Sequence, residues 1–587
     1  MRVLGLSLGH DTNFSIVENG EVISVHEVER YFRQKRYKLH SIYDDNEIHK
    51  SGFQYVKRDD LIDQLNLIKS NFGVKFDAIA LQNQGNIDEY HNLLITLKKS
   101  GFLFQKSDLY NHHLCHAASS FYTSPFQDSL ILSYDGTGND GYTVLFNYEP
   151  QNGLKYIYKN NIKFGQSYNN FGFILGVKPD VAGSTAGKLM GLTAYGEVIK
   201  EWMPYAVNYV NNYKKYPQNP SDTLSDYGKG HIINSSYLQE IPELKNYLIP
   251  YKEKPNSLRH KIKFLFSNKH LFMPELTDRN TQNLAKTFQA AWTECVIKLL
   301  EQFQETNKNL CIVGGCALNG ITNFEINKRL KFEKIHYIPN PSDCGLSVGA
   351  ALNSYYSNSK IVFKGYKTFY SPYLGLKTFD YEKDLNVSKD LTCTKINLKE
   401  FLPSLANIIL DDKIVGLIND RYEIGPRALG NRSILCNPLN VKMKEILNEK
   451  VKHREWYRPF APVCSEEDAQ KYFTNLAPIF YMSEICYTKE KYRKILPSIT
   501  HVDGSCRLQT VNNNQNLILW SLLKEFEKIS GFPILINTSF NPGGEPILNY
   551  SQIGLDMLVE TDLDFVIIND KLFSKKSDNS YIKSILK

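Results

Sequence analysis

The chain has 587 residues, 42% of them apolar, and 69 Lys plus Arg against 62 Asp plus Glu give a formal net charge of +7. That length predicts two large domains with ample buried cores. The small positive excess gives no reason to expect nucleic acid or a membrane surface, and ten scattered cysteines without a paired zinc spacing fit a reduced, cytoplasmic protein.

In chain order, "MRVLGLSLGHD" meets Asp11 too early for a secretory core. No uncharged apolar run is long enough to span a bilayer. "RVLGLSLGHDTNFSIVENGEVISVHEVER" reads as three strands, with Asn19-Gly20 as a two-residue hairpin turn. Its first turn, "GHDTN", places His10, Asp11 and Asn13 at a strand end. "YNHHLCHAASS" follows at Tyr110–Ser120 and holds three of the chain's 14 histidines. On a helix, His112 and His116 (i, i+4) share one face, a spacing suited to two metal ligands, while His113 points elsewhere.

"SLILSYDGTGNDGYTVLFNYE" (Ser129–Glu149) repeats the strand, Gly/Asp loop, strand grammar of the N-terminus, which predicts an internal duplication. Its glycines let backbone N–H groups approach phosphate oxygens, and its aspartates can reach a metal. "STAGKLMGLTAYG" is a further glycine-punctuated segment, carrying Lys188. "NLCIVGGCALNG" is a strand and a double glycine, Gly314-Gly315, ahead of a helix, an arrangement suited to holding a nucleotide. "PNPSDCGLSVGAALNSYY" has Ser342 or Asp343 as the cap of a small-residue helix. This order of pieces is that of the actin and sugar-kinase type of ATPase. Asp135 and Asp343 can add carboxylates to the two histidines, and a two-His, two-carboxylate site suits Fe(II), Mn(II) or Zn(II).

From Tyr355 to Asp390 the apolar signal thins, and Pro372 with "YLG" predicts a packed connection to a second domain. That domain sets Arg421, Arg427, Arg432, Lys452, His453, Arg454, Arg458 and Arg507 among Gly, Pro and apolar residues. Partly buried cations need anions, yet the nearby acids are few: Glu423, Glu455 and Asp503. The missing charge is expected from a ligand with phosphate oxygens. Asn537, Thr538 and Ser539 follow the strand "PILI" at a turn, placed to hold phosphate or a small amide. Nucleic acid would want cations along a stripe with interleaved aromatics. The short Gly/Pro motifs favour a compact pocket instead.

Taken together, "GHDTNFSIVENGEV", "HHLCHAAS", "YDGTGNDG", "GKLMGLTAYG", "GGCALNG", "SDCGLSVGAAL", "GPRALGNRSIL", "VKHREWYRPFAP", "HVDGSCRLQTV" and "NTSFNPGGEPI" make a chain that resembles the O-carbamoyltransferases of the nodulation-factor, cephamycin and tobramycin type. The resemblance covers nearly the whole chain. It implies an α/β actin/sugar-kinase-like domain of duplicated ribonuclease-H type over 1–355, a linker over 356–390, and an α+β YrdC-like domain over 391–587. In such enzymes carbamoyl phosphate and ATP (with Mg) form carbamoyl-AMP in the second domain. The carbamoyl group then passes to a hydroxyl of a sugar or secondary metabolite in the first.

Residue by residue, the resemblance implies metal ligands at His112, His116, Asp135 and Asp343, with iron(II) as the first choice. It places His10 and Lys35 at the transfer centre. Arg421, Arg427, Arg432, Lys452, Arg458, Arg507, Asn537 and Ser539 fall on the carbamoyl phosphate and ATP site. Position 137 within Gly136-Thr137-Gly138, Lys188, Gly314, Gly315 and Asn319 fall on the carbamoyl-adenylate. It implies no nucleic acid and no membrane partner, and it admits a homodimer. "DRYEIGPRALG" departs from the family's usual approach to GPRALG, and Ser505-Cys506 stand where Thr-Ala is commoner. Residues 201–280 match the family poorly and are expected to shape acceptor choice. The other classes weighed are a threonylcarbamoyl-type tRNA-modification enzyme, which the mild charge and GPRALGNRS speak against, and an actin-like ATP-binding regulator, which leaves the cation set without a role.

Overall fold

The computed structural model describes residues 1–39, 49–51, 54–56, 58–83, 85, 87–151, 153–180, 183–213, 231–233, 248–250, 270–272, 275–359, 361–366, 369–377 and 385–585. Most of the poorly matching segment, 201–280, therefore lies outside the described residues.

The N-terminal part opens with β1 (Arg2–Ser7), β2 (Asn13–Glu18), β3 (Glu21–Glu27) and the short helix α1 (Val28–Phe32). Asn19 and Gly20 both have positive φ, as the predicted hairpin turn requires. β4 (Ala78–Gln82) and β5 (Lys106–Tyr110) complete a sheet of order β3-β2-β1-β4-β5. The first three strands pair antiparallel and β1, β4 and β5 pair parallel. Helix α2 (His112–Phe121) follows, and then β6 (Ser129–Gly138), β7 (Gly141–Glu149), β8 (Gly153–Asn160), β9 (Asn309–Val313), α3 (Gly320–Arg329) and β10 (Lys334–His336). Their sheet has the order β8-β7-β6-β9-β10, again with an antiparallel start and parallel continuation.

The two sheets thus share one winding, and the duplication expected from the repeated strand–loop–strand units is present. It is the arrangement of the actin and sugar-kinase type. Helix α4 (Leu346–Ser359) packs its small residues closely: a Cβ at Gly349 would strike the backbone of Cys115 in α2, and one at Gly5 in β1 would strike Ser347. The glycines and alanines of "SVGAAL" are what let α2 and β1 approach this helix together.

The C-terminal part is α+β. β11 (Leu391–Lys395), β12 (Val415–Ile418), β13 (Arg432–Cys436), β14 (Ala461–Ser465), β15 (Gln509–Val511), β16 (Ile534–Ser539), β17 (Phe565–Ile568) and β18 (Lys571–Lys575) form one mixed sheet. Its order is β11-β18-β17-β12-β13-β16-β14-β15. Among the described residues of the connection before it, Pro372 and Leu374 are tied to neighbouring segments. Val25 N–H donates to Leu374 O at 2.8 Å, and Ile424 N–H donates to Pro372 O at 2.7 Å.

By compactness the chain divides into Met1–Asn160 with Phe303–Lys587, and Asn161–Gln302. The second unit is mainly helical among its described residues, with a small antiparallel sheet of His231–Ile233, His270–Phe272 and Leu248–Pro250, and it packs Phe171 against Phe288 at 3.8 Å, with Trp292 donating to Phe164 O at 3.1 Å.

Candidate metal centre and cation cluster

Helix α2 starts where the loop after β6 caps it. Asn139 Oδ1 accepts from His112 N–H at 2.9 Å, and Asp140 Oδ1 accepts from His113 N–H at 3.0 Å. The Asn-Asp of "YDGTGND" therefore serves the histidine helix. His112 and His116, both buried, turn their Nε2 atoms to within 3.1 Å of one another. His116 Nε2 lies 3.0 Å from Asp135 Oδ2 and 3.4 Å from Asp343 Oδ1. His112 Nε2 lies 3.8 and 3.7 Å from the same two oxygens.

These four donor atoms all lie within 4.8 Å of one another, so a divalent ion fits their set of two imidazoles and two carboxylates. Burial opposes charge on His116, but Asp135 and Asp343 outweigh it and raise its pKa to about 9. The same contacts hold Asp135 well below the carboxylate range despite its burial. His113 is set apart, as the spacing predicts: its Nδ1 lies 2.7 Å from Ser133 Oγ, and burial depresses it to about 4.

The double glycine has a local reason as well as its expected nucleotide role. Gly314 lies at φ +97 against the backbone of Tyr134, and a Cβ on Gly315 would sit 2.8 Å from Asp135 Oδ1. Asn319 caps α3 by accepting from Thr322 N–H at 3.2 Å. Thr137 is exposed at the end of β6. Lys188 belongs to the helical unit, where its Nζ donates to Pro179 O at 3.4 Å.

His10 stands beside the metal set. Its Nε2 is 3.4 Å from Asp343 Oδ2 and its Nδ1 is 3.1 Å from Asp11 Oδ2. Asp343, then Asp11, raise its pKa to about 9. The two nitrogens engage different carboxylates, so Asp11 orients the ring that faces Asp343. Asn13 ties the same turn to the Asp343 loop: its Nδ2 donates to Asp343 O at 2.8 Å and its Oδ1 accepts from Ser347 N–H at 3.0 Å. "GHDTN" held these roles for Asp11 and Asn13, but the sequence alone did not separate them from metal ligation.

The second cluster is made of Arg427, Lys452, Arg454, Arg458 and Arg507. Burial, then Arg458, lowers Arg427 to about 10. Burial, then Arg427, Arg458 and Arg454, holds Arg507 well below its ordinary value. Lys452 is lowered by burial, then by Arg454, Arg458 and Lys35. Arg458 has Glu455 at 3.6 Å. The Nε atoms of Arg427 and Arg507 are buried without a hydrogen-bond partner among the described residues. Cations that depress one another and leave donors unused make a site for an anion with several oxygens.

Other expected members are placed differently. Lys452 Nζ donates to Ser539 O, Asn541 O and Asn541 Oδ1 at 2.7–2.8 Å, so it braces the β16 turn while lending its charge. Ser539 Oγ donates to Asn541 Oδ1 at 2.6 Å. Asn537 Nδ2 donates to Gln509 Oε1 at 2.7 Å, and its buried Oδ1 has no hydrogen-bond partner among the described residues. Arg421 donates to Gly375 O, Leu374 O and Ile23 O. Arg432 donates to Asn419 O, Asp420 O and Asn431 O. Both hold backbone and stand outside the mutually repelling set. Arg454, which the expected site omits, belongs to it, with its guanidinium 4.0 Å over the Phe460 ring.

The segment after α1 acts electrostatically on both clusters. Lys35 raises the electrostatic pressure on Lys452, and Arg36 does so on His10. Arg33 pairs with Glu545 at 2.9 Å and donates to Pro546 O and Ile547 O.

Residues 2–352 match the family model described as carbamoyltransferase N-terminus, and residues 406–575 match carbamoyltransferase C-terminus. The chain is 28% identical over 614 residues to Nodulation protein NolNO of Sinorhizobium fredii, covering 97% of this chain and 79% of that one. It is 25% identical over 599 residues to Nodulation protein U of Rhizobium tropici, covering 98% and 96%. Among solved structures, a ROK hexokinase from Thermus thermophilus aligns over 60% of this chain and 98% of its own at 12% identity, with a TM-score of 0.26. The fold assignment rests on strand order and not on that alignment.

Proposed function

The chain belongs to the carbamoyltransferase family and is a carbamoyltransferase, and from that premise we propose that it converts carbamoyl phosphate, water and ATP to carbamoyl-AMP, phosphate and pyrophosphate, and delivers the carbamoyl group to a hydroxyl of a sugar or secondary metabolite with AMP as the leaving group. The observation that carries this reading is the pair of clusters, one rich in metal-type donors and one of buried, mutually repelling cations, with Lys35 and Arg36 near enough to act electrostatically on Lys452 and His10. The reading divides the chain into 1–355 for transfer, 356–390 as connection and a YrdC-like 391–587 for adenylation. It places the enzyme in the cytoplasm. No helix among the described residues is long and apolar enough to cross a membrane.

Carbamoyl phosphate is a poor donor to a neutral hydroxyl, and adenylation supplies a better leaving group. In this reading Arg427, Arg458 and Arg507 bind the phosphates and neutralise the charge that builds as bonds break. Lys452 and Arg454 add fixed positive potential from their braced positions. His112, His116, Asp135 and Asp343 would hold a divalent ion, iron(II) by preference over manganese or zinc, which when bound supplies a Lewis acid. His10, aligned by Asp11, takes the acceptor hydroxyl's proton at Nε2 in its neutral form, which a divalent ion held by Asp343 would favour by offsetting the carboxylate charge that otherwise raises the ring's pKa, a contribution of ~10²–10⁴-fold for general base catalysis. Lys35 stands where adenylate and acceptor meet.

The test is exchange of labelled pyrophosphate into ATP with and without carbamoyl phosphate, followed by labelled carbamoyl transfer to a panel of nucleotide-sugars. Exchange that depends on carbamoyl phosphate is expected. Exchange without it, or none at all, would overturn the adenylate.

A further inference from the structure

Glu27 closes β3 and Arg30 lies in α1, and both are buried, at 2% and 1% exposure. Arg30 Nε donates to Glu27 Oε2 at 2.6 Å. The pair then takes both backbone polar groups of one distant residue: Gly425 N–H donates to Glu27 Oε1 at 2.6 Å, and Arg30 donates to Gly425 O at 2.7 Å. The Arg30 guanidinium also lies 4.9 Å from the centre of the Tyr422 ring.

Gly425 is the first residue of GPRALG, two before Arg427. It has φ +86, and a Cβ there would strike Pro339 O and lie 3.2 Å from Asn340 Cα. Pro339 and Asn340 lead directly into Asp343. One glycine is therefore held between the loop that carries a candidate metal ligand and an ion pair from the first sheet. The β3–α1 turn is itself tied to the His10 turn, since Val28 N–H donates to Thr12 O at 3.0 Å.

We infer that Glu27 and Arg30 are positioning residues: their buried pair fixes Gly425, and through it sets Arg427 of the cation cluster in register with Asp343 of the metal centre. A two-point grip on a single residue, one bond to each of its flanking peptides and Cβ-free contact behind it, leaves that loop little freedom in either direction. The inference rests on the proposed adenylation reading for what Arg427 binds, and on geometry alone for how Arg427 is held.

The experiment is a double-mutant cycle on the full chain, with pyrophosphate binding as the readout. Arg30→Lys keeps the charge and loses the fork. It is expected to weaken pyrophosphate binding roughly tenfold, within the range for residues coupled through one hydrogen-bond network, with bound metal unchanged. Glu27→Gln, close to isosteric, is the second variant and carries the test if Arg30→Lys does not fold. Because the pair acts through Arg427, either change combined with Arg427→Ala should bind no more weakly than Arg427→Ala alone. Losses that add in the double variants would overturn the positioning role, as would wild-type affinity in both single variants. Wild-type protein that binds pyrophosphate but shows no carbamoyl-phosphate-dependent exchange would sink the adenylation reading, and the cycle would still decide the clamp.

Discussion

The two clusters meet the same physical problem, charge held away from water, in opposite ways. In the candidate metal cluster, His116 faces Asp135 and Asp343, so imidazole and carboxylates stabilise one another's charge. In the cation cluster, Glu455 stands beside Arg458 and Arg454, while burial and the neighbouring cations push Arg427, Lys452, Arg454 and Arg507 down. The first cluster is complete enough to be rigid before anything binds. Under the proposed function the second is completed by an anion. A site that must bind, react and release phosphates gains from that incompleteness, because the ligand relieves a strain that its departure restores.

The comparison breaks most visibly if the ligand histidines are removed. His112→Ala with His116→Ala should take bound metal from about one ion per chain to near zero and abolish carbamoyl transfer, while carbamoyl-phosphate-dependent exchange survives. Unchanged metal content, read by elemental analysis, would dismiss the assignment. Next in size, Arg507→Ala should reduce exchange by ~10²–10³-fold, the usual cost of removing one charge-stabilising donor, and leave transfer from supplied carbamoyl-AMP in place. A variant that still releases pyrophosphate normally contradicts the division of labour.

A third effect sharpens the contrast without mutation. Pyrophosphate at a hundred times its dissociation constant should stabilise the wild type by ~2.7 kcal/mol, and Arg507→Ala should lose most of that gain in a thermal melt. The smallest effect concerns His113, which packs against Ser133 and not the ligand atoms. His113→Gln should cost about 1–2 kcal/mol of stability through one buried hydrogen bond and leave metal content at the wild-type level. Metal loss equal to that of His112→Ala would erase the distinction between the two helix faces.

The His/Asp cluster was legible in the sequence because helical period alone puts His112 and His116 on one face, and two loop carboxylates stood at strand and helix ends. The cation set was legible because its charges had too few acids nearby. Arg421 and Arg432 carried the same signal but not the same role. Their partners are carbonyls, and those of Arg421 come from Ile23, Leu374 and Gly375, a pairing only the folded chain creates. Glu27, Arg30 and Gly425 were hidden for the same reason: nearly four hundred positions separate the groups that meet. The two matching sheets were half-visible, since each hairpin announces itself locally while the parallel crossings do not. Of the family's departures, Ser505-Cys506 removes no group that the site uses. Cys506 sits 3.5 Å from Cys486 across a two-stranded ladder.

The central claim is that two sites act in series within one polypeptide, with the carbamoyl-adenylate passed internally. A reactive mixed anhydride released to water would meet a dilute acceptor, whereas one held beside it gains up to ~7–11 kcal/mol of barrier in the best-oriented case. The direct measurement mixes the transfer-dead His112→Ala, His116→Ala protein with the adenylation-dead Arg507→Ala protein and follows labelled carbamoyl into the acceptor. Internal passage predicts activity far below wild type at equal site concentration, whichever variant is in excess. Full recovery on mixing would contradict it.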